Sequence, residues 1–167
     1  ADLLVANLKN ANAKDAFTLT VTGAATAKDL LTLDGKTNKT VVATGVTAIT
    51  GSVAEVNKLL DADVSLNNPA FTLTGTVKAS DADALALQTT GVVTANIAAD
   101  TATNLNAALT DNVAHNNALT LTVNGATASA ATLELLNAKT SVDIKVDAKE
   151  VTGIFTELNE VYVTKAT

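Results

Sequence analysis

The chain has no cysteine, methionine or tryptophan, and all 11 of its basic residues are lysine. Without cysteine there is no disulfide framework, no thiolate metal site and no cysteine nucleophile. A lone histidine, His115, cannot assemble a multi-histidine zinc site. Lysines without arginine, set against 17 acids for a net charge of −6, argue against nucleic acid as a partner. One tyrosine (Tyr162) and three phenylalanines leave little aromatic surface on which to stack a sugar. Apolar runs extend only a few residues, so no segment reads as a membrane span. One proline, together with recurrent leucine, valine and isoleucine, speaks against disorder.

What remains is unusual in proportion. Of 167 residues, 32 are alanine and 28 are threonine, and only 17% are charged against about 25% in an ordinary domain. The length suffices for one core. The bias therefore calls for a positional explanation, and internal repetition supplies one.

Three segments open alike: Ala16-Phe17-Thr18-Leu19-Thr20, Ala70-Phe71-Thr72-Leu73-Thr74 and Ala118-Leu119-Thr120-Leu121-Thr122. Each leads into a leucine-rich helical stretch and then a second β-like run, at Val41-Val42-Ala43-Thr44, Val92-Val93-Thr94-Ala95 and Val142-Asp143-Ile144-Lys145-Val146. The unit of roughly 50 residues divides into half-units of about 25, a size typical of solenoid repeats. The half-units are 16–40, 41–69, 70–91, 92–117, 118–141 and 142–167. Residues 1–15 read as a helical half-unit without its strand, with Asp2 as its cap and Leu3, Leu4 and Leu8 on its inner face. The chain is thus expected to be a single repeat domain of double repeats 16–69, 70–117 and 118–167. It would be either a processed subunit or a segment of a longer array.

Within a half-unit the hydrophobic period changes. Thr18-Leu19-Thr20-Val21-Thr22 alternates with the period of a strand, leucine and valine in and threonine out. A glycine break follows, at Gly23, Gly51 or Asn124-Gly125. A helix then begins behind a capping residue: Thr26, Ser52, Ser80 or Asp81, Thr101 and Ser129. Ser52-Val53-Ala54-Glu55 fits a capping box. Leu30, Val56, Leu85, Leu105 and Leu133, continued by Leu59, Leu60, Leu109 and Leu136, form the inner stripe. Asn67-Asn68 and Asn116-Asn117 occupy equivalent turns, which suits a side chain that tolerates left-handed backbone.

The expected fold is therefore an α/β repeat solenoid: about six strand–turn–helix half-units with a stacked parallel sheet, strands about 4.8 Å apart. A β-rich sandwich is the alternative. A doubly wound sheet fits less well, because its strands lack the continuous apolar runs that two covered faces require.

Three phrases resemble a known repeat class: Leu31-Thr32-Leu33-Asp34-Gly35-Lys36-Thr37, Ile49-Thr50-Gly51-Ser52-Val53-Ala54-Glu55-Val56-Asn57 and Thr152-Gly153-Ile154-Phe155-Thr156-Glu157-Leu158-Asn159. They resemble repeats of very large secreted and cell-surface proteins of marine bacteria, notably cyanobacteria, and similar phrases in marine phage tail fibres. The resemblance covers most of the chain and implies an extracellular, structural or adhesive role without a catalytic motif.

No nucleotide-binding, zinc-protease or hydrolase signature is present. Two Asp-x-Asp pairs, Asp61 with Asp63 and Asp81 with Asp83, offer hard oxygens for a calcium ion. Helix-terminal charge is the plainer role for them. His115 precedes a strand with no nucleophile near it in sequence, which suits a turn residue. The outward rows Thr18/Thr20/Thr22, Thr72/Thr74/Thr76 and Thr120/Thr122 raise ice binding, but charged Asp143, Lys145 and Asp147 interrupt the array. Asn38-Lys39-Thr40 is a glycosylation sequon. The expectation is a non-enzymatic, cofactor-free module at the cell surface or outside the cell, in a surface layer, adhesin, filament or fibre. Its partners would be copies of itself or adjacent repeats, stacked head to tail. The alternative is a module of a large adhesin that binds calcium, a glycan or a surface.

Overall fold

The computed structural model describes residues 1–110 and 116–161. The chain forms a mixed α/β structure with a mostly parallel sheet and seven helices among the described residues. It divides into two compact units. The first is made of 1–75 and 88–92, and the second of 76–87 and 93–167.

In the first unit, α1 (Asp2–Asn7), α2 (Ala27–Asp34) and α3 (Val53–Leu60) alternate with β1 (Thr20–Thr26), β2 (Val41–Gly51), β3 (Val64–Ser65) and the greater part of β4 (Ala70–Val77). β2 pairs in parallel with β1, with β3 at its start and with β4 at its end. α2 packs beside both α1 and α3. The second unit holds α4 (Ala79–Ala86), β5 (Val93–Ile97), α5 (Ala102–Ala108), β6 (Ala118–Thr120), β7 (Thr122–Val123), β8 (Thr127–Ser129), α6 (Ala130–Asn137), β9 (Lys145–Val146), β10 (Glu150–Thr152) and α7 (Phe155–Asn159). Its parallel pairs are β5 with β6, β7 with β9 and β8 with β10. In each of these pairings the partners lie 22 to 24 residues apart in sequence. A parallel pair needs a crossover connection, and here a short helix supplies each one.

The alternating strand pattern puts Leu19, Val21, Phe71, Leu73, Leu119, Leu121 and Val123 in the core. Leu30, Val56, Leu105 and Leu133 are buried one turn into their helices, Leu85 is buried nearly two turns into α4, where Ala82 takes the fourth position, and Leu59, Leu109 and Leu136 extend the stripe, whereas Leu60 is only half-buried. Each fully buried leucine contributes about 2 kcal/mol from removal of apolar surface from water. Thr26, Ser52 and Thr101 accept from backbone N–H groups of the first turn, and the Ser52–Glu55 box closes in both directions.

Several local expectations need correction. α4 starts behind Lys78, so Ser80 and Asp81 lie inside the helix and neither caps it. Strand-like backbone runs on from Val77 into Lys78 and delivers the chain to the helix two residues early. Ser129 stands at the cap of α6 but its hydroxyl makes no capping bond. Ala1, not Asp2, precedes α1, and Leu3 is 76% exposed, so α1 buries none of its residues. Gly23 does not end its strand. With φ +80 it bends β1, which then continues to Thr26. Gly75 (φ +79) bends β4 in the same way. Only glycine adopts this backbone cheaply. The run at 142–146 is strand only at Lys145–Val146, because its alternating charges give it one weak inward face.

Candidate functional site

The two Asp-x-Asp pairs take up different positions. Asp61 is the exposed C-cap of α3, and Asp63 is exposed in the turn after it, where its backbone carbonyl accepts the Val41 N–H at 2.9 Å. Asp63 lies near Asp34 at the end of α2. Partial burial, and then the Asp63 charge, push the Asp34 carboxyl above the usual range. Asp81 and Asp83 both sit on α4, two residues apart, and side chains at that spacing point to different faces of a helix. Asp83 is buried at 7% exposure and accepts the Thr110 hydroxyl at 2.5 Å. Among the described residues, no three acidic or histidine side chains converge as a metal site. His115 and Tyr162 lie outside the described residues.

The second unit has a shallow groove of about 320 Å³ lined by Lys78, Ser80, Asp100 and Asn104 over an apolar floor that includes Leu105. Its carboxylate is engaged: Asp100 Oδ1 accepts from the Thr101 N–H at 2.7 Å and from Asn104 Nδ2 at 2.8 Å. That pattern serves the N-terminus of α5.

The more ordered polar feature is one that sequence reasoning missed. Thr37, Thr89 and Thr140 recur 52 and 51 residues apart, each just after a helix. The Thr37 hydroxyl reaches the Phe17 carbonyl at 2.7 Å and the Asp15 carbonyl at 3.1 Å, and accepts from the Lys39 N–H at 3.2 Å. Thr89 donates to the Pro69 carbonyl at 2.8 Å and accepts from the Gly91 N–H at 3.0 Å. Thr140 donates to the Leu119 carbonyl at 2.7 Å and accepts from the Leu119 N–H at 2.9 Å. Each threonine thus ties the end of one strand–helix segment to the start of the strand about 20 residues earlier. A buried backbone carbonyl left unpaired there would cost about 1–3 kcal/mol. Thr37 and Thr89 are buried, at 5% and 4% exposure. The threonine-rich composition hides them, since nothing in sequence separates a latch from an outward strand threonine.

Asparagine performs related work. Asn68 and Asn116 adopt left-handed backbone, with φ of 47 and 51, as their turn positions suggested. Asn68 Oδ1 accepts from the Thr90 N–H at 3.3 Å, and the buried Asn117 Oδ1 accepts from the Val93 N–H at 2.8 Å. Lys139 Nζ donates to the carbonyls of Asn106, at 2.7 Å, and of Leu109, two of the acceptors that the end of α5 leaves open.

Among the described residues no helix is long and apolar enough to cross a membrane. No protein-family model, no curated protein and no solved structure matches the chain.

Proposed function

We propose that this chain is a non-enzymatic structural repeat module, an α/β solenoid whose coils of about 25 residues stack strand on strand. Its place would be at the cell surface or outside the cell, in a surface layer, adhesin, filament or fibre. The observation that carries the reading is the constant offset: each parallel pairing described joins residues 22 to 24 apart, from Thr20 with Val42 to Thr127 with Glu150. A chain that returns to the same height every coil produces that offset. The buried polar side chains support it, since Thr37, Thr89 and Asn117 each bond backbone from a neighbouring coil.

A stack of this kind leaves an open coil at each end. α1 and α7 bury none of their residues, and Leu3, Ile154 and Phe155 are 76%, 65% and 86% exposed. A further coil, from the same chain or from a second copy, would cover them. A head-to-tail contact between copies does not close on itself, so it would build a filament. Negative-stain microscopy with light scattering over a concentration series tests assembly. Concentration-dependent rods one module wide would support a self-assembling subunit, and monodisperse particles would support a module within a longer chain. Closed two-fold dimers would contradict both.

A further inference from the structure

We propose that Asn124 is a self-modification site, at which the Gly125 amide nitrogen attacks the Asn124 carboxamide and converts the corner to aspartate and isoaspartate. Three bends of the chain use a glycine at positive φ: Gly23 (+80), Gly75 (+79) and Gly125 (+110). The residue before the glycine is exposed at all three, and it is Thr22, Thr74 and Asn124 in turn. Only the third bend places a carboxamide next to an unhindered peptide nitrogen.

The local geometry leaves the reacting pair free between two fixed points. The Asn124 N–H is held by the Asp100 carbonyl at 2.9 Å, and the Gly125 carbonyl by the Lys149 N–H at 3.3 Å. Between them, the Gly125 N–H donates to no backbone carbonyl, and the Asn124 side chain makes no hydrogen bond among the described residues. Glycine adds no steric screen: a β-carbon built there would meet only Thr101 Cγ2, at 3.4 Å.

The step needs only water. Solvent base removes the Gly125 amide proton, the nitrogen bonds to Asn124 Cγ, and the Cγ–Nδ2 bond breaks to release ammonia, which takes its proton from water. The resulting five-membered succinimide is opened by water in one of two ways. Addition at Cγ breaks the Cγ–N bond and leaves aspartate with the main chain intact. Addition at the main-chain carbonyl carbon breaks the C–N bond there and leaves isoaspartate, linked through Cγ. In isoaspartate the main chain runs through Cβ, so one atom is inserted between the Asp100 and Lys149 hydrogen bonds. Either product adds a negative charge to a chain that already carries −6.

The test is timed incubation of the purified chain under native, mildly alkaline conditions, followed by peptide mapping by mass spectrometry. The expected result is a gain of one mass unit at Asn124 that rises with pH and outpaces every other asparagine, with part of the product resisting an aspartate-directed protease. Asn124→Thr, the residue pair of the other two bends, should lose the gain and keep the circular dichroism and melting temperature. No gain at Asn124, equal conversion elsewhere, or conversion only in denaturant would overturn the proposal.

Discussion

The strand–helix segment around α3 and the one around α7 share a plan and differ in how much they bury. Both are parallel-paired at the common offset. The first has an eleven-residue strand with Val41, Ala43, Val46 and Ile49 inside, and a helix with Val56 and Leu59 inside. The second has strands of two and three residues, an exposed Lys145–Asp147 ion pair at 2.9 Å and a helix with nothing buried. Their helix starts differ likewise. Ser52 and Glu55 exchange bonds in both directions, whereas Glu157 reaches back to the Ile154 N–H at 3.1 Å and Ile154 has no oxygen to return. Backbone pairing therefore sets the common offset, and side-chain burial sets how firmly each strand–helix segment holds.

That contrast is open to mutation. The largest effect is expected at the fourth residue of each helix. Leu30→Ala in α2 removes a fully buried side chain and should cost about 2–5 kcal/mol in denaturant unfolding. Leu158→Ala removes the half-buried leucine at the same position of α7 and should cost less than about 1 kcal/mol. Equal losses would break the comparison. Thr89→Val comes next, because it strands the Pro69 carbonyl and the Gly91 N–H; a loss of about 1–3 kcal/mol is expected. The same corner admits no side chain at Gly91, whose β-carbon would lie 2.5 Å from the Pro69 carbonyl oxygen.

A smaller effect belongs to the caps. Ser52→Ala should cost about 1 kcal/mol, and Ile154→Ser should stabilise α7 by completing its box, both read as shifts in melting temperature. The smallest is electrostatic. The Ser52 backbone N–H, and then its hydroxyl, hold the Glu55 carboxyl below its usual range. A depressed folded-state pKa gives stability that is present above the unfolded value and lost as pH falls through the folded one. Asp34, raised by burial and by Asp63, works the other way: its ionisation costs stability as pH rises through the unfolded and then the folded value. Glu55→Gln should flatten the acid limb of a melting-temperature profile. Asp63→Asn should lower the Asp34 titration point seen by NMR.

Much of this plan is legible in the sequence because its signals are local. The alternation around Leu19 and Val21 and the spacing that buries Leu30, Val56, Leu105 and Leu133 follow from strand and helix periods. Ser52 with Glu55 is a local motif too. The Thr37, Thr89 and Thr140 latches are not legible, because their partners lie about 20 residues away and threonine is everywhere. Nor is the start of α4 behind Lys78, where tertiary pairing of the strand overrides two better capping residues. The divergence of Asp81 and Asp83 is likewise set by the helix start: once α4 begins at Ala79, the two lie two residues apart on one helix and point to different faces.

The central claim is the constant pairing offset, and through-hydrogen-bond scalar couplings in NMR measure it directly. Couplings are predicted from Val42 N–H to the Leu19 carbonyl, from Lys145 N–H to the Leu121 carbonyl and from Asp147 N–H to the Val123 carbonyl, where the bonds are 2.8, 2.9 and 2.7 Å. Antiparallel couplings, or parallel ones at unrelated offsets in the two regions, would contradict it.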